Sequence, residues 1–248
     1  MIRLLALALL FALPFAARAG SLAAVELYDR TANRFLSVHE HRGRLYVAGE
    51  PGHQYEIRVR NHSQQRVLAV TSVDGVNVIS GQTAATSQQG YVLERWDCVS
   101  VEGWRKSMDE VATFYFTALP DSYAARTGRP DNVGVIGVAL FRERIHRPSF
   151  NPPMEQGAEA PAARSQSGDA ELSRQRDDAN LGTGHGQRES SPAQYVDFRR
   201  ESSTPDETIS IYYDSYRNLV AQGVLPRKQR PVKDHVAVPF PASFVPDP

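Results

Sequence analysis

Short runs of alternating apolar and polar residues, each ending in turn-forming residues, recur through positions 24–145 of the chain. The clearest run is Gln-Tyr-Glu-Ile-Arg-Val-Arg at 54–60, which places Tyr55, Ile57 and Val59 on one face. Successive side chains of a strand point to opposite faces of its sheet, so a period of two indicates a strand with one buried face. We therefore predict a half-buried strand at 54–60.

Turn-forming residues follow this run and predict two successive hairpins. The polar stretch 61–65 separates the strand from a second apolar run at 66–73, as in a hairpin. The pair Asp74-Gly75 then separates 66–73 from 76–79, and such a pair tolerates the positive φ angles of a tight hairpin turn. Antiparallel pairing of the three runs is the expected result.

Further strands are predicted in segments that Gly, Pro, Asn or Asp residues bound. The segment 133–141, Val-Gly-Val-Ile-Gly-Val-Ala-Leu-Phe, is apolar on both faces, which is typical of a central strand. Many short strands with closely spaced turns predict an all-β fold, an antiparallel β-sandwich of which the immunoglobulin-like arrangement is one form. The other predicted strands are 24–28, 44–48, 91–93 and 111–118.

The N-terminus has the features of a secretory signal peptide. Arg3 precedes an apolar run at 4–15, and Ala-Arg-Ala at 17–19 has the small-x-small pattern that signal peptidase cleaves. Pro14 interrupts the apolar run, which is shorter than the roughly 20 residues that span a bilayer. We expect residues 1–19 to be removed and the mature protein to be periplasmic or secreted, without a transmembrane anchor.

The single cysteine, Cys98, excludes an intramolecular disulfide and a cysteine-pair metal site, so an exported chain of this kind must be stabilised by packing. We expect Cys98 itself to be a small buried apolar residue. The formal net charge is zero, which gives no overall bias toward nucleic acid. We predict neither a nucleic-acid partner nor a cofactor.

The composition changes near residue 147, because 12 of the 16 prolines lie from Pro148 onward. We predict one β-sandwich domain at 20–147 and a disordered linker at 148–206, where few large apolar residues are present. Within that linker we interpret the glycine-rich 182–186 as a flexible or tightly turning segment. The alternative is a docking element that packs His185 against the sandwich.

Order is expected to return near the C-terminus. Residues 209–213 alternate like a strand, and 214–223 have the pattern of a short helix ending at Gly223. We predict that 207–226 form a short ordered element that docks on the sandwich as an edge strand or pairs with a partner. Residues 227–248 are predicted to be a proline-rich tail.

Five segments of the chain are similar to other proteins: 55–61, 72–77, 103–107, 121–128 and 132–137. They resemble an uncharacterised family of exported bacterial β-rich proteins, and the resemblance covers most of 24–145. It implies a shared domain and export, and it implies no activity, cofactor or catalytic residue.

Aromatic and arginine side chains are concentrated in the loop-rich stretches that flank the predicted strand 111–118. Such side chains are typical of interface hot spots and sugar-binding platforms. The alternative is that the two tryptophans pack in the core and that the arginines pair with Asp121 or Asp131. The predicted ligand-binding or partner-binding residues are Trp96, Trp104, Arg105, Tyr123 and Arg126.

No catalytic motif is evident, and Gly-x-Ser-x-Gly is absent. His39 and His41 would lie on one face of a strand and His53 could approach them, as metal ligands sometimes do. Their surroundings are charged, however, and we expect no metal site. We interpret the chain as a non-catalytic binding or interaction module of the cell envelope, with a protein or glycan partner. The alternative is an envelope hydrolase or metal-dependent enzyme that uses these three histidines.

Overall fold

The computed structural model describes residues 22–145 and 180–227. The strands are β1 (Ala23–Asp29), β2 (Arg34–Phe35), β3 (Val38–His41), β4 (Arg44–Gly49), β5 (Gln54–Asn61), β6 (Val67–Val73), β7 (Val76–Asn77), β8 (Tyr91–Leu93), β9 (Cys98–Val101), β10 (Gly103–Arg105), β11 (Glu110–Ala118), β12 (Val135–Arg142), β13 (Leu181–Ser190) and β14 (Glu207–Ser215). The helices are α1 (Tyr123–Arg126) and α2 (Tyr216–Ala221), with 3-10 turns at Leu119–Asp121 and Pro130–Asn132.

The strands form two sheets of seven, which pack face to face and confirm the predicted all-β sandwich. Sheet A has the order β10-β11-β5-β1-β2, with β13 also paired to β11 and β9 to β5. Sheet B has the order β3-β4-β14-β12-β6-β7, with β8 also paired to β6. All pairs are antiparallel except β4 with β14, which run parallel, a pairing that the sequence did not predict.

Aromatic rings form the centre of the core between the sheets. Tyr55 of β5 stacks on Phe116 of β11, with 4.3 Å between ring centroids. Phe116 in turn lies 5.4 Å from Tyr213, which belongs to sheet B. These rings are almost completely buried, so both sheets contribute to one continuous apolar core.

Of the two predicted hairpins, one is confirmed and one is wrong. Val73 of β6 pairs with Val76 of β7, and the turn residues Asp74 and Gly75 both have positive φ angles, as expected for an Asp-Gly hairpin. The strands β5 and β6 do not pair, because the intervening loop carries the chain from sheet A to sheet B. The buried Asn61 holds this crossing by donating to the carbonyls of Gln65 and Glu94.

The predicted central strand is confirmed, and the predicted edge strand is wrong. β12 lies between β6 and β14, with Val138 opposite Thr71 on one side and Ile209 on the other. β14 lies between β12 and β4, so it is an internal strand of sheet B. The strand of the ordered element 207–226 is therefore an internal strand of the sandwich and not an edge strand.

The linker prediction is wrong for the part that the structure describes. β13 pairs with β11 along its length, from Ser190 opposite Glu110 to Leu181 opposite Ala118. The glycines allow this close pairing: a Cβ on Gly184 would lie 2.2 Å from the Tyr115 ring, and one on Gly186 would lie 2.3 Å from the Thr113 hydroxyl. The domain is thus not confined to 20–147.

A smaller apolar cluster covers part of the outer face of sheet B. Leu68 and Val70 of β6 and Ala139 and Phe141 of β12 lie on this face, and Phe198 packs against them. The guanidinium of Arg200 lies 4.1 Å above the ring of Phe141. The segment after β13 is therefore held on the outside of the sandwich.

Several predictions fall outside the described residues: the signal peptide 1–19, the linker 148–179 and the tail from 228 onward. Cys98 is a free thiol and is half-buried rather than enclosed in the core. Neither helix in the described parts of the chain has the length and apolar character needed to cross a membrane.

Candidate functional site

The residues predicted to form a binding surface occupy different environments. Trp104 is only 3% exposed and packs against Phe114 and Tyr123, at 5.2 and 4.8 Å between ring centroids. Trp104 is thus a core residue, as the alternative interpretation had it. On the other side of Tyr123 lies His185 of β13, at 5.6 Å. The docking role considered for His185 therefore matches the structure, and its interpretation as part of a flexible segment is wrong.

The two predicted arginines, Arg105 and Arg126, do not form the ion pairs with Asp121 or Asp131 that the sequence suggested. Arg105 donates to the Tyr91 hydroxyl, at 3.1 Å from Nη2, and also to the carbonyl of Ser191, so it joins β8 to the segment that follows β13. Arg126 forms no ion pair with any acid among the described residues. Burial lowers the pKa of His185, and the positive charges of Lys106, Arg188 and Arg126 lower it further.

Trp96 lies apart from this group, in the turn between β8 and β9. Its side chain is 59% exposed and its φ angle is +62°. A bulky residue rarely adopts a positive φ, because its Cβ crowds the following carbonyl. The five predicted residues therefore do not form one surface: Trp104 and Tyr123 are in contact, whereas Trp96 occupies a separate turn.

The three histidines of the alternative prediction are not brought together. His39 and His41 lie on β3, where they pair with Tyr46 and Arg44 of β4. His53 lies in the connection between β4 and β5, and its Nδ1 is 2.8 Å from Oδ2 of the buried Asp29. Within 22–145 and 180–227, no three His, Cys, Asp or Glu side chains are placed to hold one metal ion.

A cleft opens on the outer face of sheet B, between the β3–β4 turn and the end of α2. Its volume is about 430 Å³, within the range of small-molecule sites. The β3–β4 hairpin and the residues after α2 line it. The lining residues are His41, Arg42, Arg44, Tyr46, Gln222 and Val224.

The cleft is rich in hydrogen-bond donors and in positive charge. Arg42 and Arg44 are exposed, and neither forms an ion pair with an acid in the described part of the chain. Other arginines are paired: Arg58 lies 2.6 Å from Glu56, and Arg66 lies 2.8 Å from Glu143. The two guanidiniums of the cleft are thus available to an external anion.

Aromatic rings lie beside these charges. Tyr46 lies 5.6 Å from Tyr212 of the neighbouring β14, and the Arg44 guanidinium lies 5.4 Å from the centroid of the Tyr212 ring. His41 meets Tyr46 edge-on, at 6.4 Å. An Arg placed over an aromatic ring has fewer accessible orientations, so its planar donors are oriented before a ligand arrives.

The backbone that carries Arg42 has an unusual conformation. Arg42 and Gly43 form the β3–β4 turn with φ angles of +49° and +73°. Two-residue hairpin turns of this kind favour Asn, Asp or Gly at both positions, because other residues crowd their own carbonyl groups. An arginine at the first position is therefore locally unfavourable, and such outliers cluster at functional sites.

One amide of the cleft is fixed by a neighbouring acid. Gln222 donates from Nε2 to Oδ2 of Asp214, at 3.2 Å. Asp214 is buried and also accepts from the backbone N–H of Leu181 and from the amide of Asn218. Its charge is thus distributed over several donors, and its contacts hold the end of α2 beside β4.

The chain has no match among protein-family models, curated proteins or solved structures.

The cleft is not evident from the sequence, and the reason is physical. In the sequence, His39 and His41 suggest metal ligands, and the charged residues around them suggest a solvated edge. The hairpin does place His41 and Arg44 opposite each other, which an alternating pattern on both sides of Arg42-Gly43 could have indicated. Gln222 is far away in the sequence, and no local pattern connects it to β4.

Proposed function

We propose that this protein is an exported, non-catalytic binding module of the cell envelope whose outer sheet-B cleft binds an anionic group of its partner. The observation that carries the proposal is the presence of two guanidiniums in one cleft, both without an ion-pair partner among the described residues. Arginine forms paired, planar hydrogen bonds with carboxylate, phosphate and sulfate groups. The half-buried Tyr46 and the Gln222 amide would add directional contacts.

Electrostatic considerations support an anionic ligand rather than a neutral one. Arg42 and Arg44 line one cleft at the end of one hairpin, and two positive charges held close together repel each other. An anion bound between them would relieve this repulsion. The chain as a whole is neutral, so this local excess of positive charge does not reflect a basic composition.

The proposal can be tested by surface plasmon resonance with the purified protein. Polygalacturonate, polyphosphate and polyglutamate would be immobilised as anionic probes, and dextran as the neutral one. We expect at least one anionic probe to bind, and R42A/R44A to weaken its binding about tenfold or more. Arg60 on β5 and Arg95 in the turn after β8 are exposed elsewhere, so R60A/R95A removes the same two charges and should leave binding within about twofold. Equal losses in both variants would contradict the proposal.

The enzyme alternative has one supporting observation. The buried Asp29 accepts a backbone hydrogen bond from Ala32 and lies 2.8 Å from Nδ1 of His53, which orients this imidazole as in many acid–base pairs. The Nε2 atom lies 3.7 Å from Glu50. Hydrolysis of a panel of ester and phosphoester substrates, lost in H53A, would favour this alternative over a binding module.

A further inference from the structure

The cleft continues as an open strip across the outer face of sheet B. By strand register, His39, Tyr46, Tyr212 and Val135 lie side by side on four successive strands. In the next row, His41 is opposite Arg44, and Ser210, Gly137 and Ser72 follow on β14, β12 and β6. None of these side chains is fully buried, so both rows face solvent in part.

Two elements border this strip. On one side α2 packs over β4 and β14, and Gln222 and Val224 follow it into the cleft. On the other side Phe198 packs against the apolar cluster that includes Val70 and Ala139. These two residues lie two positions away from Ser72 and Gly137 on the same face. The outer face is thus open along one direction, across the strands. The five strands β3, β4, β14, β12 and β6 span about 19 Å at the usual strand spacing.

The chemistry of the strip changes along its length. Arg42, Arg44 and His41 form its basic end. Tyr46 of β4 and Tyr212 of β14 form its middle, with Ser210 beside Tyr212 on β14, and Gly137 of β12 and Ser72 of β6 form its far end. A ligand complementary to this order has anionic groups, apolar ring faces and hydroxyl groups within one extended chain.

We propose that the ligand of the cleft is a chain of acidic sugars that lies across the strands of sheet B. In this arrangement a carboxylate of one sugar binds Arg42 and Arg44, and the neighbouring rings contact Tyr46, Tyr212 and the serine hydroxyls. The proposal rests on the proposed function and specifies its ligand.

The position of the strip on the sheet favours a sugar chain over an acidic polypeptide. An extended peptide gains most of its affinity by pairing its backbone with an exposed sheet edge. The strip lies on the face of the sheet, and the backbone groups of β4, β14 and β12 are already paired with their neighbours, so a ligand that crosses these three strands meets side chains alone. A sugar needs no backbone ladder, because its hydroxyls bond to side chains and its apolar face packs on aromatic rings.

Isothermal titration calorimetry of the purified full chain tests this inference. The probes are tetragalacturonate, galacturonate, the neutral cellotetraose and inorganic tetraphosphate. We expect tetragalacturonate to bind about tenfold or more tightly than each of the other three. R42A/R44A should abolish this preference over cellotetraose, because it removes the groups that recognise the carboxylates.

A blocking variant tests the path across the strands. Ser210 is exposed on β14, so S210Y should fill the strip and weaken tetragalacturonate about tenfold. Ser100 is exposed on β9 of sheet A, and S100Y, the matched control, should leave the affinity for tetragalacturonate unchanged.

The outcomes separate this inference from the proposed function. If tetraphosphate binds through Arg42 and Arg44 and tetragalacturonate does not, the cleft is an anion site and the sugar assignment is overturned. Tetragalacturonate binding that survives S210Y would overturn the path across the sheet. If polyglutamate binds through these arginines and the sugars do not, the partner is an acidic polypeptide. If no anion binds, the proposed function itself fails.

Discussion

The hydroxyl of Tyr213 donates a hydrogen bond to Oδ1 of Asp74 over 2.5 Å, in the buried space between the two sheets. The same carboxylate accepts from the backbone N–H of Gly134 at 2.9 Å and from that of Thr183 at 2.8 Å. Asp74 occupies the β6–β7 turn, so this one side chain joins that turn to β13, to β14 and to the residue before β12. Its contacts connect parts of the chain on both sides of the stretch 146–179.

Because Asp74 is buried, folding stability should depend on its protonation. Burial raises the pKa of Asp74 from 3.8 to about 6, although its hydrogen bonds partly oppose the shift. A carboxyl that binds its proton more tightly when folded stabilises the fold fully below its unfolded pKa. That stabilisation is lost as the pH rises through the folded pKa.

Comparison with D74N should isolate this effect. From about pH 7.5 to about pH 5, the wild type should gain about 1.4 kcal/mol of unfolding free energy relative to D74N. Urea unfolding followed by tryptophan fluorescence at the two pH values measures the difference. D206N removes an acid that is more exposed and paired with Arg142, and it serves as the control. A wild-type advantage that does not change with pH would mean that Asp74 stays ionised when folded.

The Thr183 hydroxyl should be coupled energetically to Tyr55. It lies 2.6 Å from the hydroxyls of both Tyr55 and Tyr213, and all three residues are buried. T183V leaves the Tyr55 hydroxyl without this partner, at an expected cost of about 1–3 kcal/mol. In Y55F the same substitution should cost about 1 kcal/mol less, because no unsatisfied hydroxyl remains on β5. Chemical unfolding of the four proteins in this double-mutant cycle gives the coupling, and additive losses would contradict it.

The glycines of β13 should be required for its pairing with β11. In G184A the new methyl group would meet the Tyr115 ring, so this ring must move, and we expect a loss of about 1–3 kcal/mol. Y115A removes the obstacle, so G184A should cost much less in that background. Amide hydrogen exchange along β13, together with the unfolding free energy, measures both effects. An equal cost in the two backgrounds would indicate backbone strain instead of a steric conflict.

The same glycines explain why the sequence predicted some strands and not this one. β5 was predictable because its apolar residues alternate with polar ones. β12 was predictable because its residues are apolar on both faces. In Gly-Thr-Gly-His-Gly the apolar repeat is absent, and the strand exists because Tyr115 and Thr113 fill the space above the glycines. That information lies in β11, about 70 residues earlier in the chain, where no local rule detects it.

The loop at 61–65 illustrates a related limit. Polar turn residues occur both in hairpins and in loops that cross between sheets, and only the partners of the flanking strands distinguish the two. The side chain of Asn61 donates hydrogen bonds to the carbonyls of Gln65 and Glu94. Glu94 is distant from Asn61 in the sequence, so this second contact is apparent only in the folded chain. The cleft could not be predicted for the same reason. Gln222 and Arg44 line it together only because β14 pairs in parallel with β4.

The strained turn residue of the cleft should show a conflict between stability and binding. Arg42 has a φ of +49°, where asparagine is tolerated far better than arginine. We expect R42N to raise the unfolding free energy by up to about 1 kcal/mol, because it relieves this crowding. The same variant should weaken the binding of the anionic probe, because one of the two guanidiniums is lost. Thermal unfolding and surface plasmon resonance on one preparation measure both quantities.

R42K is the matched control for this prediction. It retains the positive charge and a side chain that is equally unfavourable in the turn, so its stability should equal that of the wild type. Its binding should fall less than that of R42N, since lysine keeps the charge without the planar pair of donors. If R42N is stabilised and binds as well as the wild type, Arg42 takes no part in ligand binding. If R42N is not stabilised, the turn does not strain arginine, and its conformation no longer supports a functional role.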